Sequence, residues 1–550
     1  MSAIGLDAAT KRMVLVACIL GTTVVTVDST AINVALPAIA EDLGGGLAGQ
    51  QWVANAYLLT LSSLLLIGGS LGDVIGERRV FFAGVAGFGV TSLLCALAPT
   101  IELLVAARAL QGVSGALLTP AALAVIVRTF SEAERGQAVG AWTAWGGIGT
   151  VLGPVVGGQL VDSASWRWIF LINLPLVLGT LFIVSRAVPA DAPRQPGARL
   201  DLAGAALCAL GLAGITFGLI EQPMRGFGDP LVAGALIGGV ALFATFIVYE
   251  RHSSHPMLPL ALFKRRNFAA GNIETFAMYG GLSIVFFMMV LFLQGVAGFS
   301  ALAAGSAGIP VTLVMFLLAA RFGRLADRYG PRWFMGSGPL VSAVGLALML
   351  RIDADVDYWT DLFPALLVFA LGLSIVVAPL TATVLSDADE NNAGIASAVN
   401  NAIARVAGLV AIAAIGALVA GQYGSRLDEA LGPLASQPEV AAAVESLRDR
   451  PFAVERPPGL DPAVADQVVV AQEEASVDSF HFGVGIAVVL VAMGGVLGFV
   501  GIRNPRRQVA AEGCPGGQFV GVPEEASHQS PCDWYRDLPV LQLPARERTA

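Results

Sequence analysis

Long apolar runs separated by short polar segments succeed one another along almost the whole chain. Runs of spanning length fall at 13–36, 51–71, 80–98, 101–127, 137–161, 168–187, 201–221, 230–249, 268–293, 303–322, 333–351, 361–384, 393–420 and 479–502. A helix needs ~20 predominantly apolar residues to cross the hydrocarbon core of a bilayer. The pattern therefore predicts an all-α polytopic membrane protein of fourteen transmembrane helices. No cleavable signal peptide is expected, because the first run is too long and ends in Asn33-Val34-Ala35-Leu36-Pro37 rather than at a small-residue cleavage site.

The polar gaps orient the chain. With the N-terminus inside, the inner segments hold twenty lysines and arginines and the short outer loops hold only Arg167, Arg225 and Arg351. Short cytoplasmic loops carry the basic excess, so both termini are expected in the cytoplasm of a cell in whose plasma membrane the protein sits. Trp52, Trp166, Trp168, Trp333 and Trp359 fall at helix ends, where aromatic rings anchor at the interface.

Two segments leave the bilayer. Residues 421–478 carry eleven acids against four arginines, a net −7 of the chain's −9, and read as a hydrated outer loop with some helix over 438–445. The tail from about Arg506 to Ala550 has no apolar period and reads as disordered.

Composition narrows the function classes. At 55% hydrophobic and 13% charged, with a mean hydropathy of +0.73, the chain lies outside the soluble range of roughly 45–50% apolar and about 25% charged. Its two lysines, Lys11 and Lys264, lie in no phosphate-binding loop, so no ATP-cradling motif is present. Four histidines and five cysteines form neither H-E-x-x-H nor C-x-x-C, and no metal, cofactor or disulfide framework is expected. Gly68-x-Ser70-x-Gly72 lacks the strand–turn–helix setting of a nucleophile elbow, and Gly226-Phe227-Gly228-Asp229 sits in a short outer loop. Neither supports an enzyme. Nothing in the charge pattern suggests a nucleic-acid partner.

An internal repeat supplies the architecture. Gly69-Ser70-Leu71-Gly72-Asp73-Val74-Ile75-Gly76-Glu77-Arg78 follows helix 2, and Gly323-Arg324-Leu325-Ala326-Asp327-Arg328-Tyr329-Gly330-Pro331-Arg332 follows helix 10, so G-x-L-[GA]-D-x-x-G-x-R occurs twice, 254 residues apart. Helices 1–6 then match helices 9–14, and helices 7–8 are an inserted pair. The expected domains are 1–187, a six-helix half; 188–255, the inserted pair; 256–502, the second half with its outer loop 421–478; and 503–550, the tail. Parallel repeats of this kind build transporters whose substrate site lies between the halves near the midplane.

Ionisable groups inside hydrocarbon are costly, and functional by default. The candidates are Asp28, Arg108, Glu274 and Arg405. Asp28 lies ~22 Å along helix 1 and ~8 Å from the outer surface of a core ~30 Å thick, and Arg108 lies ~10 Å below that surface. The depths agree, so the two are expected to pair directly or through one water. Either the pair exchanges a proton or it only locks the bundle. Around helix 1 a stripe of Thr22, Thr26, Ser29, Thr30 and Asn33 points away from Asp28, and it reads either as cavity lining or as interhelical glue. Arg108, Gln111, Gly112, Gly115 and Thr119 share a face of helix 4, where the glycines admit a neighbour. Gly149, Gly153 and Gly157 with Pro154 on helix 5 suit close packing or a gate. Thr26, Asn33, Gln111 and Glu274 are candidate substrate-cavity residues.

These residues together resemble the major facilitator superfamily, in its fourteen-helix drug:proton antiporter branch of the QacA/EmrB type. Asp28-Ser29-Thr30-Ala31-Ile32-Asn33-Val34-Ala35-Leu36-Pro37 is similar to that branch's helix-1 signature, and the resemblance implies proton coupling at Asp28, with Arg108 of Arg108-Ala109-Leu110-Gln111-Gly112 linked to proton transfer. The Gly69–Arg79 loop resembles the cytoplasmic latch motif, which implies latch roles for Gly69, Asp73, Gly76 and Arg78 and, by the repeat, for Asp327 and Arg332. Gly149, Gly153, Pro154 and Gly157 resemble the helix-5 antiporter motif, and Trp166 to Pro175 resembles the stretch opening helix 6. Departures are Gly72, the run Glu77-Arg78-Arg79 and Ala31. The implied protein is a monomeric, proton-driven exporter of hydrophobic or amphipathic compounds that needs no cofactor. Exporters of one endogenous metabolite or antibiotic carry the same motifs, and the reading from another class is a non-transporting receptor or intramembrane enzyme.

Overall fold

Gly76 and Gly330, the equivalent glycines of the two repeated loops, hold φ of +108° and +90°, a backbone region that side chains with a Cβ rarely enter. Each ends one long helix and starts the next without a loop. The repeat read in the sequence is thus a repeat of backbone geometry, and the same turn is made once in each half.

The computed structural model of the chain describes residues 7–189, 201–254, 256–386, 393–445, 447, 448 and 450–504. The long helices are α1 (Ala8–Leu43), α2 (Gly46–Ile75), α3 (Glu77–Ala96), α4 (Ile101–Thr129), α5 (Glu132–Ser163), α6 (Trp168–Ala187), α7 (Leu202–Arg225), α8 (Pro230–His252), α9 (Arg266–Gly295), α10 (Ala301–Tyr329), α11 (Pro331–Leu348), α12 (Phe363–Ser386), α13 (Ala393–Leu431) and α14 (Pro462–Gly501). Among the described residues thirteen candidate spans are long and apolar enough to cross a membrane, and α2, of 30 residues, packs among them. The tail expected over 503–550 lies, from residue 505 on, outside the described residues.

Helix pairing repeats with the sequence. α1 packs on α5 and α6, α2 and α3 both pack on α4, and α3 packs on α6. In the second half α9 packs on α13 and α14, α10 and α11 both pack on α12, and α11 packs on α14. Arg78 of the first loop donates to the Ser185 carbonyl of α6 at 3.1 Å, and Arg332 of the second donates to the Phe499 carbonyl of α14 at 2.6 Å. Each loop arginine is therefore tied to the last helix of its own half. α7 and α8 pack on each other, and α7 touches α2 of one half and α13 of the other. Trp52 of α2 donates to Glu221 of α7 at 2.9 Å, which ties the inserted pair to the first half.

The contacts between halves cluster toward the face opposite the N-terminus. There the Gln51 side chain donates to the Ile412 carbonyl, Gln294 donates to the Val34 carbonyl at 3.1 Å, and the Asp162 carboxylate caps the N–H groups of Ala301 and Leu302 at 2.9 and 2.8 Å. Toward the N-terminal face, Gly136, Gly140, Gly146 and Gly147 of α5 have open space beside them.

The segment 421–478 corrects the sequence expectation of a hydrated loop. α13 runs on to Leu431 and α14 begins at Pro462, so helix leaves only 432–461 as connection, with the short helix Pro438–Glu445 inside it. Tyr423, Leu427 and Leu431 on α13 close against Val440, Val444, Val468, Ala471 and Ala475 in a small separate core. The apolar residues recur at helical spacing between the acids, which mean hydropathy averages away. Helix 1 likewise continues through Pro37 to Leu43.

Candidate functional site

Five helices of the first half converge on one carboxylate. Asp28, 2% exposed, receives Arg108 Nη1 on Oδ2 at 2.5 Å, and both Gln111 Nε2 and Asn173 Nδ2 on Oδ1 at 2.9 and 3.0 Å. Ser92 Oγ accepts from the same two amides at 3.0 and 3.3 Å and so fixes their orientation. Arg108, fully buried, makes two further bonds within the cluster, and its Nη2 has no partner among the described residues. Nη1 reaches Gln111 Oε1 at 2.7 Å, and Nε reaches the Val53 carbonyl of α2 at 3.2 Å. The Tyr57 ring lies under the guanidinium at 4.4 Å and the Phe170 ring at 5.8 Å. A buried charge pair is tolerated only when its remaining hydrogen-bonding atoms find partners. Here α1, α2, α3, α4 and α6 supply them for every such atom of the pair except Arg108 Nη2.

Glycine spacing on α4 places the guanidinium. A Cβ at Gly112 would stand 2.3 Å from the Tyr57 carbonyl, so only glycine lets α2 come this close. That approach brings the Val53 carbonyl and the Tyr57 ring onto Arg108. The neighbour admitted by the glycine face is thus α2, while α1 delivers Asp28 from the side.

On α5 the glycines serve two partners. A Cβ at Gly153 would meet the Val27 carbonyl at 2.8 Å and one at Gly157 would meet Ala31 Cα at 3.2 Å, while Gly149 lies over Thr26. This edge seats α1. The neighbouring edge faces the other half, where a Cβ at Gly158 would meet the Ala301 carbonyl at 2.6 Å and one at Gly305 of α10 would meet the Pro154 carbonyl at 2.5 Å. α5 therefore links the helix that carries Asp28 to the helix that closes the seam between the halves.

Between the halves lies a cavity of about 330 Å³, within the roughly 300–1,000 Å³ of small-molecule sites. Ser29, Thr30 and Asn33 of α1, Tyr57 of α2 and Arg108 of α4 line one wall, and Phe286, Phe287 and Arg405 line the opposite one. Of the four residues expected at a cavity, Asn33 is there. Thr26 is turned toward α5 and gives its hydroxyl to the Thr22 carbonyl at 3.0 Å. Gln111 stands behind Arg108 in the carboxylate cluster. Glu274 is fully buried inside the second half, beside Gly494 of α14, with neither oxygen hydrogen-bonded. Its face of α9 is set by packing on α14, which charge alone does not reveal.

Among the expected latch residues, Gly69 lies 3.7 Å from Pro120 by its missing Cβ, Gly76 makes the turn, and Asp327 is exposed. The side chain of Asp73 lies outside the described ones. Asn173, Ser92 and Tyr57 are site residues that sequence reasoning missed. Asn173 stands in the quoted stretch opening helix 6 as an amide within an apolar run, which is a readable signal; Ser92 and Tyr57 carry none. No cluster of potential metal ligands occurs among the described residues.

Comparison with known proteins identifies the family and the fold. Residues 18–412 match the family model described as Major Facilitator Superfamily. The puromycin resistance protein of Streptomyces alboniger is 35% identical over 424 residues, covering 75% of this chain and 82% of that protein. The tetracenomycin C resistance and export protein of Streptomyces glaucescens is 34% identical over 416 residues, 74% and 76% of the two chains. In fold, the chain is similar to a bacterial homologue of the human lysosomal transporter Spinster, with a TM-score of 0.62 at 14% identity, covering 91% of this chain and all of that one.

Proposed function

The chain belongs to the Major Facilitator Superfamily, and within it we propose a proton-driven exporter that expels hydrophobic or amphipathic compounds across the cell membrane. The carrying observation is the placement of the Asp28–Arg108 pair: Arg108 is at once the partner of the one buried carboxylate of the first half's charge cluster and part of the cavity wall. Resistance and export are what the names of the similar Streptomyces proteins state of those proteins, and they support the same direction of transport here.

The basic bias of the N-terminal face supports a cytoplasmic placement of both termini. The halves touch toward the opposite face, so in this state the cavity is closed to the outside and compound enters from the cytoplasm or the inner leaflet. The cycle follows from the charges. Deprotonated Asp28 holds Arg108 by a charge-assisted bond. A proton arriving on Asp28 removes the attraction, while Arg108 stays tied to α2 through the Val53 carbonyl. α1 is then free to shift against α4, and it carries α5 with it because its residues sit in the glycine edge. The other edge of α5 bears on α10, so a proton event at Asp28 reaches the contact that closes the two halves. Differential stabilisation of two states by proton and compound is what such coupling requires.

The test is reconstitution of unlabelled protein into liposomes with an imposed pH gradient and addition of compounds from a chemically diverse panel. Proton-coupled export dissipates the gradient when a carried compound is added; a gradient that no compound disturbs, with protein shown to bind some of them, argues against it.

A further inference from the structure

The cavity has an unbalanced charge. Its lining contains two guanidinium groups, Arg108 and Arg405, and no acid. Arg108 is neutralised by Asp28 behind it. Arg405, on α13 across the cavity, has no hydrogen-bond or ion-pair partner among the described residues, and the groups within electrostatic range are the phenols of Tyr57 and Tyr279. Glu274, the other intramembrane acid, is shut inside the second half and does not line the space.

Two polar atoms behind the wall lean the same way. Arg108 Nη2 and the Tyr57 hydroxyl are both buried behind the wall and have no partner among the described residues. Buried polar groups are almost always hydrogen-bonded, so an unpaired one calls for a partner such as a water, an ion or a ligand. A guanidinium can only donate, and so can satisfy only an acceptor. With Arg405 in the lining and the unpaired Nη2 of Arg108 behind it, the wall asks for acceptor oxygen atoms carrying negative charge. The rest of the lining carries no charge: Ser29, Thr30 and Asn33 of α1 add hydroxyl and amide groups, and Phe286, Phe287 and Leu282 of α9 add ring and aliphatic surface.

We propose that the compound carried by this site is an amphipathic anion: an aromatic or polycyclic body with an ionised acidic group, carboxylate or phenolate, seated on Arg405. The inference rests on the export reading above and narrows it to one charge class. It sets the energetics apart from those of a cation exporter. An anion leaving as a proton enters moves two charges in the same sense, so the membrane potential drives the exchange as well as the pH gradient, whereas a monovalent cation leaving for one proton moves none.

The test is equilibrium binding to the full chain in lipid nanodiscs, with empty discs as control and no gradient. Two fluorescent probes of the same ring and opposite charge are compared: anthracene-9-carboxylate and anthracen-9-ylmethylammonium. The carboxylate is expected to bind the unaltered protein at least tenfold more tightly than the ammonium. Arg405→Gln should lose at least tenfold for the carboxylate and stay within twofold for the ammonium, and Arg405→Lys should keep the preference for the carboxylate. Equal or tighter binding of the ammonium to the unaltered protein overturns the proposal, and so does carboxylate binding within twofold in Arg405→Gln. If Arg405→Gln does not fold, the comparison of the two probes on the unaltered protein decides alone. Because no proton gradient enters the measurement, its failure leaves proton-coupled export standing, and the failure of export leaves this result standing.

Discussion

Arg108 Nη1 stands 2.5 Å from Asp28 Oδ2 with both side chains out of solvent, while the Nε of the same guanidinium is held 3.2 Å from the Val53 carbonyl. One group therefore has a bond that a proton on Asp28 weakens and a bond that it leaves intact. That asymmetry makes the pair suited to passing a protonation event to helix movement instead of simply locking the bundle. It also predicts non-additive mutants. Removing one partner of a buried ion pair costs about 3–5 kcal/mol because it strands the other charge, so Arg108→Gln should destabilise the protein strongly. The double mutant Asp28→Asn/Arg108→Gln should be more stable than the two single losses imply, by an interaction of about 0.5–3 kcal/mol. Thermal unfolding in one detergent measures it, and strict additivity would show that the two charges act separately.

The two edges of α5 make separable predictions. Gly153→Ala would put a methyl group 2.8 Å from the Val27 carbonyl, so α1 must be displaced and transport should fall steeply. Gly158→Ala strikes the Ala301 carbonyl of the other half at 2.6 Å and should prise the halves apart on the closed face. A cysteine at Asn33 is expected to react faster with an impermeant maleimide from outside in Gly158→Ala than in the unaltered background. Gly140→Ala, with open space around it, is the control, neutral or stabilising by up to ~1 kcal/mol through helix propensity.

Gly76→Ala and Gly330→Ala force a Cβ into backbone conformations of φ +108° and +90°. Each is expected to cost about 1–3 kcal/mol, seen as a lowered melting temperature. Similar losses at the two sites are the expected result, since the turn is the same turn; a loss at only one would show that the loops are not equivalent.

The small core above α13 and α14 should be independent of the site. Leu427→Ala removes a fully buried side chain from it and should cost about 2–5 kcal/mol locally. Faster proteolytic cleavage within 432–461, with probe binding unchanged, is the expected outcome.

Much of the site is legible in residue types because charge in hydrocarbon is rare: Asp28 and Arg108 stand out in the sequence, and their depths along their helices match. The repeat of Gly76 and Gly330 was legible for a similar reason, since two identical ten-residue patterns in matching places are hard to produce by chance. Asn173 is legible only as an amide within an apolar run and Ser92 not at all, because small polar residues in membrane helices more often serve as packing contacts and the fold alone shows that these two meet a carboxylate. Glu274 was visible as a charge but not as a buried one, because which face of α9 meets α14 is a tertiary fact. The outer segment was misread for yet another reason. Its acids dominate any averaged hydropathy, whereas the helices there follow the spacing of Tyr423, Leu427 and Leu431.

Everything in the proposed cycle passes through the proton on Asp28, and Asp28→Asn tests it most directly, because the amide keeps the shape of the side chain and cannot titrate. The measurement is the rate at which a carried compound dissipates an imposed pH gradient in proteoliposomes, taken alongside equilibrium binding of the same compound. The account predicts that Asp28→Asn binds the compound and leaves the gradient undisturbed. Dissipation by Asp28→Asn at the rate of the unaltered protein would contradict it.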